Sequence, residues 1–585
     1  MATILIANRG EIAVRVAQGC RDAGHRAVAV YADPDADAYH VRAADEAYRL
    51  EGATLAETYL DADQLLAVAR RAGADAVHPC YGFLAERAEF AQAVLDARLT
   101  WIGPDPHTIE LLGDKVAARD IARRVGAPLV RGSEGLVADP AEAARVAGEL
   151  GYPVAIKAAF GGGGRGMRVV RSAEEIEAAF ASAVRESQAA FGRGDCYLEQ
   201  YLDRPRHIEA QVIADRHGHV FVLGTRDCSL QRRNQKLVEE APAPFLTDEQ
   251  RALVRDSARD LCREAGYVGV GTVEYLLGAN GVISFLEVNT RLQVEHTVTE
   301  ETTGVDLVLA QLEIAFGGEV PVSGDVANRG HAFEFRINAE DVARGFLPST
   351  GRIELLEAPT GPGVRLDTGV RTGSVVTGDY DSMIAKLIVR GVSRAHALRR
   401  ARRALADLTI DGVTTVLPFH RAVLEDPAFT GEDALGVHTA WIEQEFGDRL
   451  AADPGFWPAA DAEASRRVRF TVELDGKAVQ LGLPAALLRS FGPDGDAAGE
   501  ARPGDGPGDA DGEPEASLRA PMAGVLQRWL VEPGATVSAG DGVCVLEAMK
   551  TETTVPAHRD GVVGEASVEA GVRVAAGDAL TTIEG

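Results

Sequence analysis

The sequence predicts several α/β domains followed by a separate, small all-β domain, and three patterns carry that expectation. Short apolar runs alternate with helical segments through the first hundred residues, four consecutive glycines stand between two strand-like runs near residue 160, and one motif occurs twice close to the C-terminus. A chain of 585 residues is too long for one hydrophobic core and long enough for three or four domains.

In the first domain, residues 3–7 and 26–31 are apolar strand candidates. Between them, Glu11 to Asp22 sets Ile12, Val16 and Gly19, with Val14 and Ala17, at helical spacing, which makes a βαβ unit. Runs at 74–78 and 99–103 alternate with helical segments at 61–72 and 86–97, the pattern of a parallel sheet. The first turn, Ala7-Asn8-Arg9-Gly10, lacks the glycine fingerprint of a dinucleotide site.

Tyr152 to Phe160 then reads as a strand, Gly161-Gly162-Gly163-Gly164-Arg165-Gly166 as a loop, and Met167 to Val170 as another strand. Gly161, Gly163 and Gly166 fit GxGxxG, but no helix follows directly as a Rossmann turn requires, and the Walker GK[ST] pattern is missing. A glycine loop between two strands can instead close over a triphosphate, offering backbone N–H groups with no side chains in the way. Lys157 on the preceding strand supplies a cation. Of 60 basic residues only Lys115, Lys157, Lys236, Lys386, Lys477 and Lys550 are lysines, so a lysine here marks a place where a compact ammonium serves better than a guanidinium.

A metal site follows from strand pairing. Gly271 to Leu277 and Val282 to Asn289 flank Asn280-Gly281, the preferred pair for a two-residue type I′ turn. That turn sets residue 279 opposite 282 and, counting back along both strands, Glu274 opposite Glu287. Like charges in that arrangement are destabilising unless a divalent cation lies between them. Asn289, two residues on along the same face, adds an oxygen ligand, a set suited to Mg²⁺ bridging nucleotide phosphates. Arg291 and Gln293 follow at once and can bind a small oxyanion, with Glu295 as its base.

The repeated motif, V-E-x-G-x-x-V-x-A-G-D, runs over Val531 to Asp541 and Val568 to Asp578, an offset of 568 − 531 = 37 residues. Two repeats of short strands and glycine turns imply a flattened, two-fold β-barrel. Between them, Val543 to Leu546, Ala548-Met549-Lys550-Thr551 and Thr553 to Val555 read as strand, tight turn and strand, so Lys550 is expected at an exposed hairpin tip. Upstream, Gly492 to Glu515 contains no Val, Ile, Leu, Met or Phe and cannot form a core. As a flexible coil its 24 residues span roughly 25–30 Å, a reach that acidic self-repulsion extends. Before that linker, Val468, Phe470, Val472 and Leu474 alternate up to Asp475-Gly476, and Val479, Leu481 and Leu483 alternate after it. This hairpin has one apolar face, which either packs on the domain that precedes it or, the preferred reading, helps dock a partner subunit.

The formal net charge of −28 argues against nucleic acid or an anionic membrane as partner. The N-terminus has no charged leader and no stretch approaches bilayer length, so a cytoplasmic location is expected. Cys20, Cys80, Cys196, Cys228, Cys262 and Cys544 fall in no CxxC spacing, as expected of reduced, independent thiols.

Taken together these features resemble the ATP-grasp superfamily, and within it biotin carboxylase, over residues 1 to about 445. The resemblance rests on Ala7 to Ala13 (ANRGEIA), His78 to Leu84 (HPCYGFL), Gly113-Asp114-Lys115, the glycine loop, Arg206-His207-Ile208-Glu209 and Arg226 to Arg233 (RDCSLQRR). It continues through Glu287 to Arg291 (EVNTR), Phe335 to Glu340 (FRINAE) and Tyr380 to Lys386 (YDSMIAK). From about Ser517 to Gly585 the chain resembles a biotin carboxyl carrier domain. Lipoyl domains share that fold, and Ala548-Met549-Lys550 favours biotin. The implied fold is an N-terminal parallel α/β domain (1–112) and an ATP-grasp domain (113–328) with a glycine-loop lid at about 130–204. A C-terminal α+β domain (329–446), a small β connector (447–491), a linker (492–516) and an all-β biotinyl-lipoyl flattened barrel (517–585) complete it.

The resemblance also implies roles. Lys115, Lys157, His207, Gln231, Lys236 and the loop glycines Gly161, Gly162, Gly163, Gly164 and Gly166 bind ATP, with Glu199 and Leu202 at its adenine end. Glu274, Glu287 and Asn289 hold Mg²⁺ (or Mn²⁺). Arg291, Gln293 and the Val294 backbone hold bicarbonate, Glu295 removes its proton, Arg336 stabilises the biotin enolate and Lys550 carries biotin. Cys80, Asn234, Thr297 and Thr551 depart from the family pattern, which more often has Gly, His, Pro and Met there. ATP converts bicarbonate, a poor electrophile, to carboxyphosphate, which delivers CO₂ to biotin inside a closed, dry site. No carboxyltransferase domain follows the carrier, so carboxybiotin is expected to pass to a separate carboxyltransferase β subunit, as in the α subunit of an acetyl- or propionyl-CoA carboxylase of fatty acid biosynthesis. Biotin protein ligase would load Lys550, and a biotin carboxylase homodimer or larger α/β assembly is implied. The biotin-carboxylating chain of a two-chain pyruvate carboxylase shares the domain order, and an inactive biotin carrier or scaffold is the alternative from another class.

Overall fold

A computed structural model describes residues 1–133, 135–159, 167–191, 193–324, 326–452, 467–474, 477–484, 516–549 and 551–585. Gly161, Gly162, Gly163, Gly164 and Gly166, the linker residues 492–515 and Lys550 lie outside them. The chain divides into two compact units, residues 1–339 with 350–447, and 340–349 with 448–585.

The N-terminal alternation builds an all-parallel sheet. β1 (Thr3–Ile6), β2 (Arg26–Tyr31), β3 (Glu46–Arg49), β4 (Ala76–His78) and β5 (Thr100–Trp101) lie in the order β3-β2-β1-β4-β5. β1 is covered on both faces, so Ile4, Leu5 and Ile6 are all fully buried and the strand reads as a continuous apolar run rather than an alternation. The first connection is helix α1 (Gly10–Asp22), whose Val16, Ala17 and Cys20 pack beneath the sheet. At its start the Asn8 amide donates to the Pro79 and Tyr81 carbonyls, fastening the first turn to the loop after β4.

A second, smaller layer holds β6 (Val154–Ala158), β7 (Arg168–Val170) and β8 (Cys196–Gln200), antiparallel in the order β7-β6-β8. Val154, Ile156 and Leu198 pack there with Ala147 and Phe180 of the helices Pro140–Leu150 and Ile176–Phe191.

The main body is an eight-stranded antiparallel sheet. It contains β9 (Arg206–Ala214), β10 (Val220–Arg232), β11 (Gln235–Ala241), β12 (Gly269–Leu277), β13 (Ile283–Asn289) and β14 (His331–Asn338). The order is β13-β12-β9-β10-β11-β14, continued by strands Met383–Gly391 and Val364–Thr368. Ile208, Ala210, Val273 and Tyr275 point into a core shared with Val254, Ala258 and Leu261 of the helix Asp248–Glu264. Alternation then sends His207, Glu209 and Glu274 to the other face.

The β12–β13 turn differs from the expected two-residue type I′. Leu277 pairs with Ile283, the Gly281 N–H donates to the Gly278 carbonyl, and only Gly281 is left-handed (φ 80°), which makes a three-residue loop. The register shifts by one residue between Glu274 and Tyr275, where Leu286 is extra on β13. The bulge cancels the longer turn, and Glu274 does face Glu287. The two-residue turn occurs instead between β10 and β11: Arg232 pairs with Gln235, and Arg233 (φ 49°) and Asn234 (φ 64°) are both left-handed. Asn is among the residues that tolerate this conformation best, so Asn234 has a local structural reason.

In the carrier, strands Ser517–Arg519, Ala579–Glu584, Gly561–Val563 and Thr536–Val537 form one sheet in that order. Thr551–Pro556, Gly542–Ala548, Gly524–Trp529 and Arg573–Val574 form the other. Leu526, Val543, Leu546, Leu580 and Ile583 fill the space between them. The sequence repeat is a structural one. Gly534 (φ 88°) matches Gly571 (φ 87°), and Gly540 (φ 98°) matches Gly577 (φ 90°). Likewise Asp541 accepts from the Ser538 N–H as Asp578 does from that of Ala575. Ala548 pairs with Thr551, and Met549 between them is buried with φ 48°. In the connector, Arg467–Leu474 and Lys477–Pro484 pair throughout, setting Val468 opposite Leu483 and Phe470 opposite Leu481.

Candidate active site

A row of charge crosses four adjacent strands. Register sets Arg226 on β10 opposite Glu209 on β9, Glu209 opposite Glu274 on β12, and Glu274 opposite Glu287 on β13. Directly opposed residues share a face of the sheet, so one cation and three carboxylates stand side by side. Lys236 of β11 ends among them: its Nζ lies 3.0 Å from Glu274 Oε1 and 2.7 Å from Glu295 Oε1, and it also pairs with Glu209.

Burial opposes ionisation of both Glu274 and Glu295, but nearby cations outweigh it and hold both well below the usual carboxylate range. Lys236 acts on both, with His207 at Glu274 and Arg336 at Glu295. Glu295 is therefore an ionised carboxylate, its Oε2 accepting from Arg336 at 2.9 Å. The three carboxylates likewise raise the Lys236 ammonium well above its ordinary value against the effect of burial.

Arg226 fixes the floor of the site. It is fully buried, and its five N–H donors reach Glu209, Gln211, Thr299, Thr272 and Gln293. Gln293 accepts from Arg226 at 3.1 Å and donates to Glu274 at 2.9 Å, so its amide is locked in one orientation. Arg291 donates to Glu86 at 2.9 Å and to Asn289 Oδ1 at 3.2 Å, while the Asn289 amide donates to Glu274 at 2.8 Å. The Val294 carbonyl accepts from buried Lys386 at 2.8 Å, and Lys386 lies 3.3 Å from Glu11 of α1. His207 accepts from the Gln231 amide at 2.9 Å and has its other nitrogen 3.0 Å from Glu274.

The structure thus gathers Glu274, Asn289, Arg291, Gln293, Glu295, Arg336, Lys236, His207 and Gln231 into one connected network. Lys115, at the start of the helix Lys115–Arg124, lies 3.5 Å from Glu287 at its edge. Lys157 and Glu199 meet each other on the three-stranded sheet, where Arg119 also reaches Glu199 at 2.7 Å. Leu202 is buried just past β8. Among the described residues, two groups bring potential metal-binding atoms within 4.8 Å of one another: His207, Glu209 and Glu274, and Glu209, Cys228 and Glu295. Sequence reasoning gave no role to Glu209, Arg226, Glu86 or Glu239. The available signal was a charged residue inside an apolar strand, as in Ile208-Glu209-Ala210.

Comparison with known proteins gives the same picture. Residues 1–109 match the biotin carboxylase N-terminal domain and 114–322 the ATP-binding domain of the carbamoyl-phosphate synthase L chain. Residues 334–444 match the biotin carboxylase C-terminal domain and 516–583 the biotin-requiring enzyme family. The chain is 55% identical over 569 residues to the biotin-dependent acyl-coenzyme A carboxylase alpha3 subunit of Mycobacterium leprae, covering 96% of this chain and 95% of that protein. The biotin carboxylase domain of Hydrogenobacter thermophilus 2-oxoglutarate carboxylase, solved as a dimer with MgADP, ADP and bicarbonate, aligns with a TM-score of 0.72 at 44% identity, over 77% of this chain and 99% of that one. A single-chain, multi-domain long-chain acyl-CoA carboxylase aligns over 100% of this chain and 51% of its own length, at 36% identity and a TM-score of 0.66. With biotin carboxylase domains and a biotinyl domain in the same polypeptide, the chain belongs to the biotin carboxylase family, as a carboxylase–carrier fusion of the acyl-CoA carboxylase α-subunit type.

Proposed function

We propose that this chain uses ATP and bicarbonate to carboxylate biotin held on Lys550, and that the carboxyl group then passes to an acyl-CoA, of the acetyl or propionyl type, on a separate carboxyltransferase β subunit. The observation that carries this reading is Glu295, a buried carboxylate kept ionised between Lys236 and Arg336 beside the Arg291 and Gln293 side chains.

In this reading Arg291, Gln293 and the Val294 backbone orient bicarbonate, and Glu295 takes its proton. The freed oxygen attacks the γ-phosphorus of ATP, ADP leaves, and the carboxyphosphate formed breaks down to CO₂ and phosphate. Lys115, Lys157, His207, Gln231, Lys236 and the glycines of residues 161–166 hold the phosphates, with Glu199 and Leu202 at the adenine end. Glu274, Glu287 and Asn289 offer hard oxygen donors of the kind Mg²⁺ or Mn²⁺ takes, and Glu274 and Glu287 are ladder partners. A divalent ion there would neutralise phosphate charge. Biotin supplies the ureido nitrogen that accepts CO₂, and Arg336 faces the negative charge that develops on it.

Biotin protein ligase is the enzyme expected to load Lys550, and a carboxylase dimer is the expected assembly. Among the described residues no helix is long and apolar enough to cross a membrane, and a cytoplasmic location is proposed. The acyl-CoA assignment is preferred over a two-chain pyruvate carboxylase because the acyl-CoA carboxylase relative aligns through the carrier, whereas the match to one chain of a pyruvate carboxylase spans 442 residues. The test is bicarbonate-dependent ATP hydrolysis with free biotin. Glu295→Gln should abolish it, and an unchanged rate would refute the assignment. An acyl-acceptor screen with the co-purified partner separates acetyl-CoA, propionyl-CoA and pyruvate.

A further inference from the structure

Behind Arg336 lie two glutamates to which the proposed reaction gives no part. Glu239 on β11 and Glu334 on β14 are directly opposed in the antiparallel ladder, and both are fully buried. Glu239 Oε1 accepts from Arg336 Nε at 2.6 Å, and Glu334 Oε2 accepts from the Thr297 hydroxyl. The other oxygen of each, Glu239 Oε2 and Glu334 Oε1, is buried with no hydrogen-bond partner among the described residues. Two orphaned acceptors on facing residues are each costly, and a single proton between them turns both into one O–H···O⁻ bond. We propose that Glu239 and Glu334 share one proton, and that this acid–carboxylate pair is the positioning device holding the Arg336 guanidinium against Glu295.

The groups acting most strongly on the pair fit this assignment. Arg336, Glu295 and Lys236 surround Glu239, while Lys386, Arg336, Tyr81 and Thr297 surround Glu334. Arg336 lies against Glu239, so that residue is the charged member. Burial and the charge of Glu239 push Glu334 well above the usual carboxyl range, with Lys386 opposing, so it is the protonated member. Burial raises Glu239 as well, to about 7, with Arg336 pulling it down. Thr297, one of the departures from the family pattern, orients the acid by donating to the oxygen that the shared proton does not use.

The inference rests on the role proposed for Arg336, and its test separates the two. Infrared spectra of the full-length protein should contain a carboxylic-acid carbonyl band at neutral pH. That band should shift on carbon-13 glutamate labelling, disappear in Glu334→Gln and move in Thr297→Val, a milder variant should the first fold poorly. Absence of the band, or its persistence in both Glu334→Gln and Glu239→Gln, overturns the shared proton while wild-type bicarbonate-dependent ATP hydrolysis leaves the functional reading intact. For positioning, Glu239→Gln should lower kcat with free biotin about tenfold and leave the KM for ATP unchanged. Equal loss in both parameters, or in neither, overturns that role.

Discussion

Replacing Lys236 with methionine tests the electrostatic logic of the site. The ammonium is 14% exposed and lies against three carboxylates, those of Glu209, Glu274 and Glu295, which are at most 5% exposed. Removing one partner from a buried ion pair costs about 3–5 kcal/mol, because it leaves charge uncompensated in a low-dielectric interior. Arg226, Arg336 and His207 still serve the carboxylates, which sets the expected loss near the lower end, ~3 kcal/mol. The assay is denaturant unfolding in chelator, read on the transition of the carboxylase unit alone, since a chain with two compact units has no single unfolding free energy. Adding Mn²⁺ should restore part of the loss in the variant, where His207, Glu209 and Glu274 converge without a competing ammonium. Wild-type protein without nucleotide should gain nothing. A variant within about 1 kcal/mol of wild type in chelator would refute the reasoning, because the carboxylates could not then be the mutually repelling, Lys236-dependent cluster described.

Other consequences follow from the same contacts. Glu240 is buried between Arg394 at 2.7 Å and His331 at 2.6 Å, and although burial alone would raise its carboxyl, these partners lower it from 4.5 to about 2. A depressed value stabilises the fold above the unfolded value, so the stability gap between wild type and Glu240→Gln should be ~3 kcal/mol near pH 5. It should shrink as pH falls from 4.5 through about 2, and a gap independent of pH would contradict the ion pair. Lys386→Met frees the Val294 carbonyl and leaves Glu11 without its cation, so the KM for bicarbonate should rise about tenfold, the worth of one hydrogen bond to a positioned group. An unchanged bicarbonate KM in a folded variant would remove Lys386 from the site. Asn234→Val, at an exposed turn position with φ 64°, should cost about 1 kcal/mol while Asn234→Gly costs almost nothing. Equal losses on thermal unfolding would point to a side-chain role instead.

The sequence made the periodic parts of this protein readable and left the convergent parts hidden. β1, α1 and β2 follow directly from apolar spacing, and the carrier repeat fixes glycines whose left-handed conformations recur at the same offset. The Glu274–Glu287 pairing was also legible, although the path to it held two compensating differences, a three-residue turn and a bulge at Leu286. Neither leaves a residue signature that pattern alone resolves, because Asn-Gly serves turns of both lengths. Arg226, Glu209 and Glu239 escaped because their roles exist only once β9, β10, β11 and β12 lie side by side. A buried arginine meeting five partners on four separate segments is a tertiary fact, and no local spacing encodes it.

The decisive measurement follows carbon from bicarbonate to the carrier. Full-length protein biotinylated on Lys550 is incubated with radiolabelled bicarbonate, ATP and Mg²⁺, then digested, and the labelled peptide is identified by mass spectrometry. Label should appear only on the peptide containing Lys550, require ATP, and vanish in Glu295→Gln. Label elsewhere, label without ATP, or a Lys550 that stays unmodified in cells rich in biotin ligase would contradict a carboxylase and its own biotin arm in one chain.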